Sequence, residues 1–152
     1  MGELNSQLGR LVYLDTNIII YAVEGYETHA ARIKFVLRGM TDGEITAVTS
    51  ELTVAEVLVK PKRDTNLKLE EAYRQFLLPT ESFRNSAVSR EILEAAADIR
   101  AHSALKLPDA IHFASAINEG CDSFLTNDDR FEGMTGIKVM LLSHLTLRTT
   151  RS

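Results

Sequence analysis

Four β-prone residues, Leu11-Val12-Tyr13-Leu14, run straight into Asp15, Thr16 and Asn17, and the apolar residues Ile18-Ile19-Ile20-Tyr21-Ala22 follow at once. A short apolar run bounded by polar residues predicts a buried strand. Asp15 then stands at the carboxyl end of that strand, where open α/β sheets bind their ligands. The fold must therefore accommodate a carboxylate at the edge of its apolar interior. The functional question is which residues join it there.

Helical periodicity fills the gaps between further short strands. Thr16 to Val23 reads as a short helix, with Asn17 near its start as a good capping type and Gly25 ending it. Ala30, Ile33, Val36, Leu37 and Met40 give helical spacing from His29 to Met40, closed by Gly39 and the Thr41-Asp42-Gly43 turn. Glu44 to Val48 alternates weakly as a second strand. Thr49 or Ser50 caps a helix to about Val59 whose apolar positions leave Glu56 near the buried side, and Pro61 stops it. Asp64 or Thr65 caps the next helix, which ends near Leu78. Leu69, Ala72, Tyr73, Phe76 and Leu77 form its stripe, and Glu70 with Arg74 forms an i,i+4 pair. A diluted third strand spans Glu81 to Val88, and a helix spans Ser89 to Ala104. Pro108 opens a helix from Asp109 to about Glu119. Strands over Ser123 to Thr126 and Ile137 to Leu142 complete the pattern. The alternation predicts an α/β fold with a parallel or mostly parallel sheet covered on both faces.

Length and composition narrow the class. The 152 residues fit one domain, read here as 1–152 with its core from about 11 to 142. An apolar fraction of 45% carries no signature of disorder. No apolar run approaches the ~20 residues needed to cross a bilayer. The first ten residues lack a basic n-region and an apolar h-region, so no secretion signal is expected. Met1-Gly2-Glu3-Leu4-Asn5-Ser6 matches the loose myristoylation pattern, but no basic cluster supports anchoring. The one cysteine, Cys121, permits no intrachain disulfide and suits a reducing cytoplasm; it reads as a small hydrophobe. A net charge of −4 argues mildly against a nucleic-acid partner. That objection weakens if several acids share a metal pocket.

Four acids converge on one rim of this topology. Asp15 ends the first strand, Glu56 lies on the helix after the second, Asp109 opens a late helix and Asp128 follows the fourth strand. Burying four carboxylates together without compensation costs more than a small fold can offset. A hard divalent cation with oxygen ligands supplies the compensation, Mg²⁺ or Mn²⁺ as one or two ions. Two ions can clamp the attacking and leaving oxygens of a phosphodiester. Each acid also has an ordinary explanation. Asp15 could cap a helix, Asp109 stabilise a helix start, Glu56 face solvent and Asp128 sit in a turn. The metal reading rests on all four standing at one sheet edge.

The segments Leu14-Asp15-Thr16-Asn17, Glu51-Leu52-Thr53-Val54-Ala55-Glu56, Leu107-Pro108-Asp109-Ala110-Ile111-His112 and Leu125-Thr126-Asn127-Asp128 resemble the signatures of PIN-domain ribonucleases. The closest likeness is to VapC-type toxins of prokaryotic toxin–antitoxin pairs. It runs from Leu11 to about Leu142 with the motifs in the same order. The resemblance implies a Rossmann-like five-stranded parallel sheet of order 3-2-1-4-5 and metal-dependent hydrolysis of RNA by water. It implies that Asp15 and Asp109 hold the ion and that Glu56 and Asp128 complete the acidic pocket, with Thr16, Asn17 and Thr126 orienting these acids. It also implies a homodimer held inactive by an antitoxin.

Some assignments stay open. Asp128 and Asp129 are adjacent, and only the family pattern Thr-Asn-Asp-x-x-Phe over Thr126 to Phe131 selects Asp128, leaving Asp129 solvated or paired with Arg130. His112 could contact RNA phosphate, support the site, or simply pack. The Lys60 to Arg63 stretch reads equally as an RNA-backbone contact or a solvated loop. The competing functions are a PIN-like RNA-processing nuclease without an antitoxin, a non-catalytic RNA-binding PIN scaffold, and a phosphatase using Asp15 as nucleophile. Asn17 weakens the last, because such phosphatases usually place a second Asp at that position.

Overall fold

The structure is a computed structural model and describes residues 3–147. Gly2, on which the myristoylation pattern rests, lies outside the described residues, as does the end of the tail. Strands β1 (Leu11–Leu14), β2 (Thr46–Ser50), β3 (Phe83–Ser86), β4 (Ser123–Thr126) and β5 (Lys138–Leu141) form one parallel sheet. Its order is β3-β2-β1-β4-β5, as the resemblance implied. The chain builds outward from β1 through β2 to β3, then returns to lay β4 on the other side of β1. The crevice between the carboxyl ends of β1 and β4 is therefore the switch point where such sheets bind ligands.

Among the described residues seven α-helices cover the sheet: α1 (Glu3–Leu8), α2 (Thr16–Glu24), α3 (Ala30–Thr41), α4 (Glu51–Arg63), α5 (Leu67–Phe76), α6 (Arg90–Ala101) and α7 (Leu107–Asn118). The alternation of side chains along a strand sorts them into two layers. Val12 and Leu14 face a core made by α1 to α5, with Leu4, Leu8, Ile18, Ile19, Val36 and Val57. Tyr13 faces the opposite layer with Val48, Phe113, Phe124 and Phe131. Tyr13 is paired in register with Phe124 on β4, and their rings stack with centroids 5.1 Å apart. Phe124 also meets Phe131 at 4.6 Å and Phe113 at 5.3 Å, so four aromatic rings tie β1, β4, α7 and the turn after β4 together. Among the described residues, no helix is long and apolar enough to cross a membrane.

Several expected boundaries shift. The cap of α2 is Asp15, not Asn17: the Asp15 side chain accepts from the Thr16 N–H, and Gly25 closes the helix in the left-handed region at φ 73°. The second strand starts at Thr46 rather than Glu44. Pro61 does not stop α4. Its ring is buried in the last turn, and the helix runs on to Arg63. The expected basic break is thus helical, and Lys62 pairs with Glu70 at 3.2 Å rather than lying in a loop. Thr65 takes a positive φ, which leaves Asn66, not Asp64 or Thr65, to cap α5. Glu70 and Arg74 do pair, at 2.9 Å, and the Tyr73–Leu77 stripe is core. Cys121 is half-buried, and burial with the neighbouring Glu119 charge pushes its thiol up to about 12, as befits a packing residue.

Sequence reading missed α1. Its signal is the i,i+4 pair Leu4 and Leu8, which are 0% and 1% exposed. Gly39 of α3 makes room for it, since a Cβ there would come within 2.3 Å of the Leu4 side chain. Removing a fully buried leucine loses both transfer free energy and packing. Leu4→Ala is therefore expected to destabilise the protein by about 2–5 kcal/mol in denaturant unfolding. A loss under about 0.5 kcal/mol would show that α1 is not part of the folded unit.

Candidate active site

Asp15 is the deepest acid, 4% exposed, with its backbone N–H bonded to Leu125 O of β4 at 3.0 Å. Its two carboxylate oxygens are held separately. Oδ1 accepts from the Thr16 N–H at 2.9 Å; Oδ2 accepts from the Thr126 hydroxyl at 2.7 Å and from Asn17 Nδ2 at 3.2 Å. Asn17 also touches Thr126 Oγ1 and accepts from the Asn127 N–H, so it pins the end of β4 to the start of α2. Burial nevertheless pushes the Asp15 carboxyl above the usual range. The His112 charge, the Thr126 hydroxyl and the Thr16 N–H pull it down, and the Asp109 charge adds to the rise.

Glu56 reaches this rim from α4. It is less buried than its position among apolar residues suggested, with its side chain 32% exposed. Its Oε1 accepts from the Thr16 hydroxyl at 2.7 Å and lies 2.7 Å from His112 Nε2. His112 on α7 is 1% exposed, so the open choice for this residue falls on a packed histidine that supports the site. Its Nδ1 meets the Tyr13 hydroxyl at 2.7 Å. Burial opposes the imidazolium, but the Glu56 hydrogen bond and the Asp15, Glu56 and Asp109 charges outweigh it and raise the His112 pKa. In turn, burial raises the Glu56 pKa, while the hydrogen bond and charge of His112 and the Thr16 hydroxyl lower it on balance. Both shifts favour the charged forms of the pair.

Asp109 and Asp128 form the other wall. Asp109 stands in the first turn of α7, which starts at Leu107 rather than at Asp109 itself, and Asp128 follows β4; their side chains are 21% and 22% exposed. Arg130 Nη2 bridges them, 3.2 Å from Asp109 Oδ2 and 2.5 Å from Asp128 Oδ2. Arg130 holds the Asp128 carboxyl below its usual range. Burial raises the Asp109 pKa; Arg130 opposes the rise, and the Asp128 charge adds to it. Asp129, by contrast, is exposed, and Arg130 turns to its neighbours instead.

Three of the expected acids are thus linked through one hydrogen-bonded chain, from Glu56 through Thr16 and Asp15 to Thr126, whose Oγ1 takes the Asp128 N–H at 3.0 Å, and Asp109 joins them through Arg130. Sequence reading missed Tyr13, Thr53 and Arg130 as members. Thr53 joins Thr16 to Thr49, whose hydroxyl donates to Leu14 O and so ties β2 to the end of β1. A strand tyrosine with a phenol to satisfy, and an arginine two residues after a site acid, were the available signals.

The donor set suits a hard cation, since every acid offers carboxylate oxygen. With these four acids ionised and His112 and Arg130 charged, the site keeps two surplus negative charges, the complement of one divalent ion. Yet among the described residues no three His, Cys, Asp or Glu side chains are grouped so as to hold a metal. Glu56 is turned to His112, and Asp128 to Arg130.

A family model described as the PIN domain matches residues 12–136. The chain belongs to the PIN domain family. Solved structures similar to this PIN domain include a toxin–antitoxin complex from Klebsiella pneumoniae, at 27% identity over 86% of this chain and 97% of that one, with a TM-score of 0.64. VapBC2 from Rickettsia felis, bound to a DNA fragment from their promoter, matches at 17% identity over 86% and 98% of the two chains, with a TM-score of 0.70. The sarcin-ricin loop cleaving toxin VapC20 of Mycobacterium tuberculosis matches at 18% over 83% and 98%, with a TM-score of 0.63. No curated protein matches the chain.

The Glu56–His112 pair gives the PIN domain a pH signature. The raised histidine pKa stabilises the fold fully below 6.5 and loses that contribution as pH rises through the folded value. The lowered glutamate pKa contributes above 4.5 and is lost as pH falls through the folded value. Unfolding free energy measured against pH should therefore carry a contribution that is largest between these values, and His112→Gln should remove it. An unchanged difference between wild type and variant from pH 5 to 9 would refute the charged pair.

Proposed function

We propose that this PIN domain is a metal-dependent endoribonuclease and the toxin of a type II toxin–antitoxin pair. The observation that carries the reading is Asp15, a carboxylate 4% exposed at the sheet's switch point with Glu56, Asp109 and Asp128 around it. A fold has little reason to bury that charge unless a cation uses it. The Klebsiella pneumoniae match is part of a toxin–antitoxin complex, and the Mycobacterium tuberculosis one is a toxin that cleaves the sarcin-ricin loop. The first supports the antitoxin partner and the second the substrate class. On this reading the partners are RNA, a cognate antitoxin and a second copy of the chain, and the compartment is the cytoplasm.

Asp15 and Asp109 would hold Mg²⁺ or Mn²⁺, with Glu56 and Asp128 completing the pocket. The ion would supply Lewis-acid polarisation of the phosphate and a more acidic water. The chain's own residues do the positioning. Thr16, Asn17 and Thr126 fix the plane of the Asp15 carboxylate by binding its two oxygens separately. Both contacts of Glu56 fall on Oε1, which leaves Oε2 to accept a hydrogen bond from the attacking water. Its lowered pKa keeps it ionised for that task. Attack on phosphorus then needs no covalent intermediate with the protein.

Induction of the wild type should arrest growth and produce defined RNA cleavage ends, while Asp15→Asn should do neither. Cleavage that persists in cleanly purified Asp15→Asn would sink the site. Thr126→Val removes one hydroxyl behind Asp15 and is expected to reduce Mn²⁺-dependent cleavage by about 10–100-fold. Thr126→Ser should restore most of it, and equal rates in both variants would deny Thr126 its orienting role.

A further inference from the structure

Arg130 is a site cation at the rim that the proposed chemistry leaves without a part, and its geometry is specific. Its Nε lies 3.0 Å from both oxygens of Asp128, its Nη2 contacts Asp128 Oδ2 and Asp109 Oδ2, and its own backbone N–H donates to Asp128 Oδ1 at 3.0 Å. A guanidinium stays charged at any relevant pH, and its planar fork suits two carboxylates. The contacts are nonetheless accessible, because the Arg130 side chain is 49% exposed. Ion pairs that open to water are weak and readily exchanged. The backbone beneath is the opposite. Arg130 sits in a single 3₁₀ turn, Asp129–Phe131, and Phe131 is 0% exposed in the aromatic layer. The side chain can leave the acids by rotating about its own bonds while its anchor stays still.

We infer that Arg130 is a positioning residue whose guanidinium competes with the divalent cation for the carboxylates of Asp109 and Asp128, and that ion and guanidinium exchange there. This rests on the metal-dependent reading above. Without the ion, Arg130 keeps two like charges together at the spacing α7 and β4 impose. With the ion, the carboxylates change partner and the guanidinium is released at the rim.

Two measurements on the intact protein test this. Mn²⁺ titration by calorimetry should find Arg130→Gln binding roughly three- to tenfold more tightly than wild type, the competition that exposed charge contacts can offer. In ¹⁵N spectra of the wild type, the Arg130 Nε–H signal, identified by its loss in Arg130→Gln, should move to the position of a free guanidinium as Mg²⁺ is added. Equal Mn²⁺ affinities, or an Nε–H signal unmoved at saturating Mg²⁺, would overturn the exchange and leave the metal reading standing. Mn²⁺ binding by neither protein would overturn the metal reading and the exchange with it.

Discussion

A carboxylate that is 4% exposed must be held by donors or give up its charge, and the carboxyl end of β1 is built around that demand. The backbone N–H of Thr16, the hydroxyl of Thr126 and the amide of Asn17 all converge on Asp15. These donors come from α2 and β4, segments more than one hundred residues apart in the chain. Asp15 is therefore buried with its full set of donors only in a fold that brings β4 beside β1. The order β3-β2-β1-β4-β5 does this, because the return crossover after β3 brings the chain back to the free side of β1.

Charge compensation around that centre is divided between two cations of different character. His112 is sealed beneath the site, fixed between Tyr13 and Glu56, and has no room to move. Arg130 stands at the mouth with half its side chain in water. Desolvated pairs are rigid and costly to break, whereas solvated ones are cheap to rearrange. The site is thus stiff at its base and adjustable at its rim. The pair anchored on buried His112 fixes the wall made by α4 and α7, and Arg130 sits where solutes arrive.

Much of this was legible in the sequence because it depends on local patterns. Leu11 to Leu14 runs straight into Asp15, and Ser123 to Thr126 is a short strand followed by Asn127 and Asp128, so the strands and the rim could be read directly. The four acids followed from topology together with a family resemblance. What escaped were features decided by tertiary packing. Pro61 reads as a stop, but its burial keeps it within α4. Asn17 has a capping side chain, yet Asp15 precedes it and takes the cap, freeing Asn17 to bind Asp15 and Asn127. Glu56 was expected deeper than it lies. The partners Tyr13, Thr53 and Arg130 could not be assigned, because a hydrogen bond between residues as far apart as Tyr13 and His112 leaves no trace in spacing.

The aromatic layer bears on how such a site can vary. Tyr13, Phe113, Phe124 and Phe131 belong to β1, α7, β4 and the following turn, and those same segments carry Asp15, Asp109, Thr126 and Arg130. The distance between the acids is thus gauged by the thickness of stacked rings, a dimension that water and salt cannot alter. A smaller ring at Phe113, Phe124 or Phe131 would reset the spacing of charges that it never touches. Natural variation should accordingly gather on the loops that meet the substrate, while the rings, remote from any solute, stay constrained as tightly as the acids themselves.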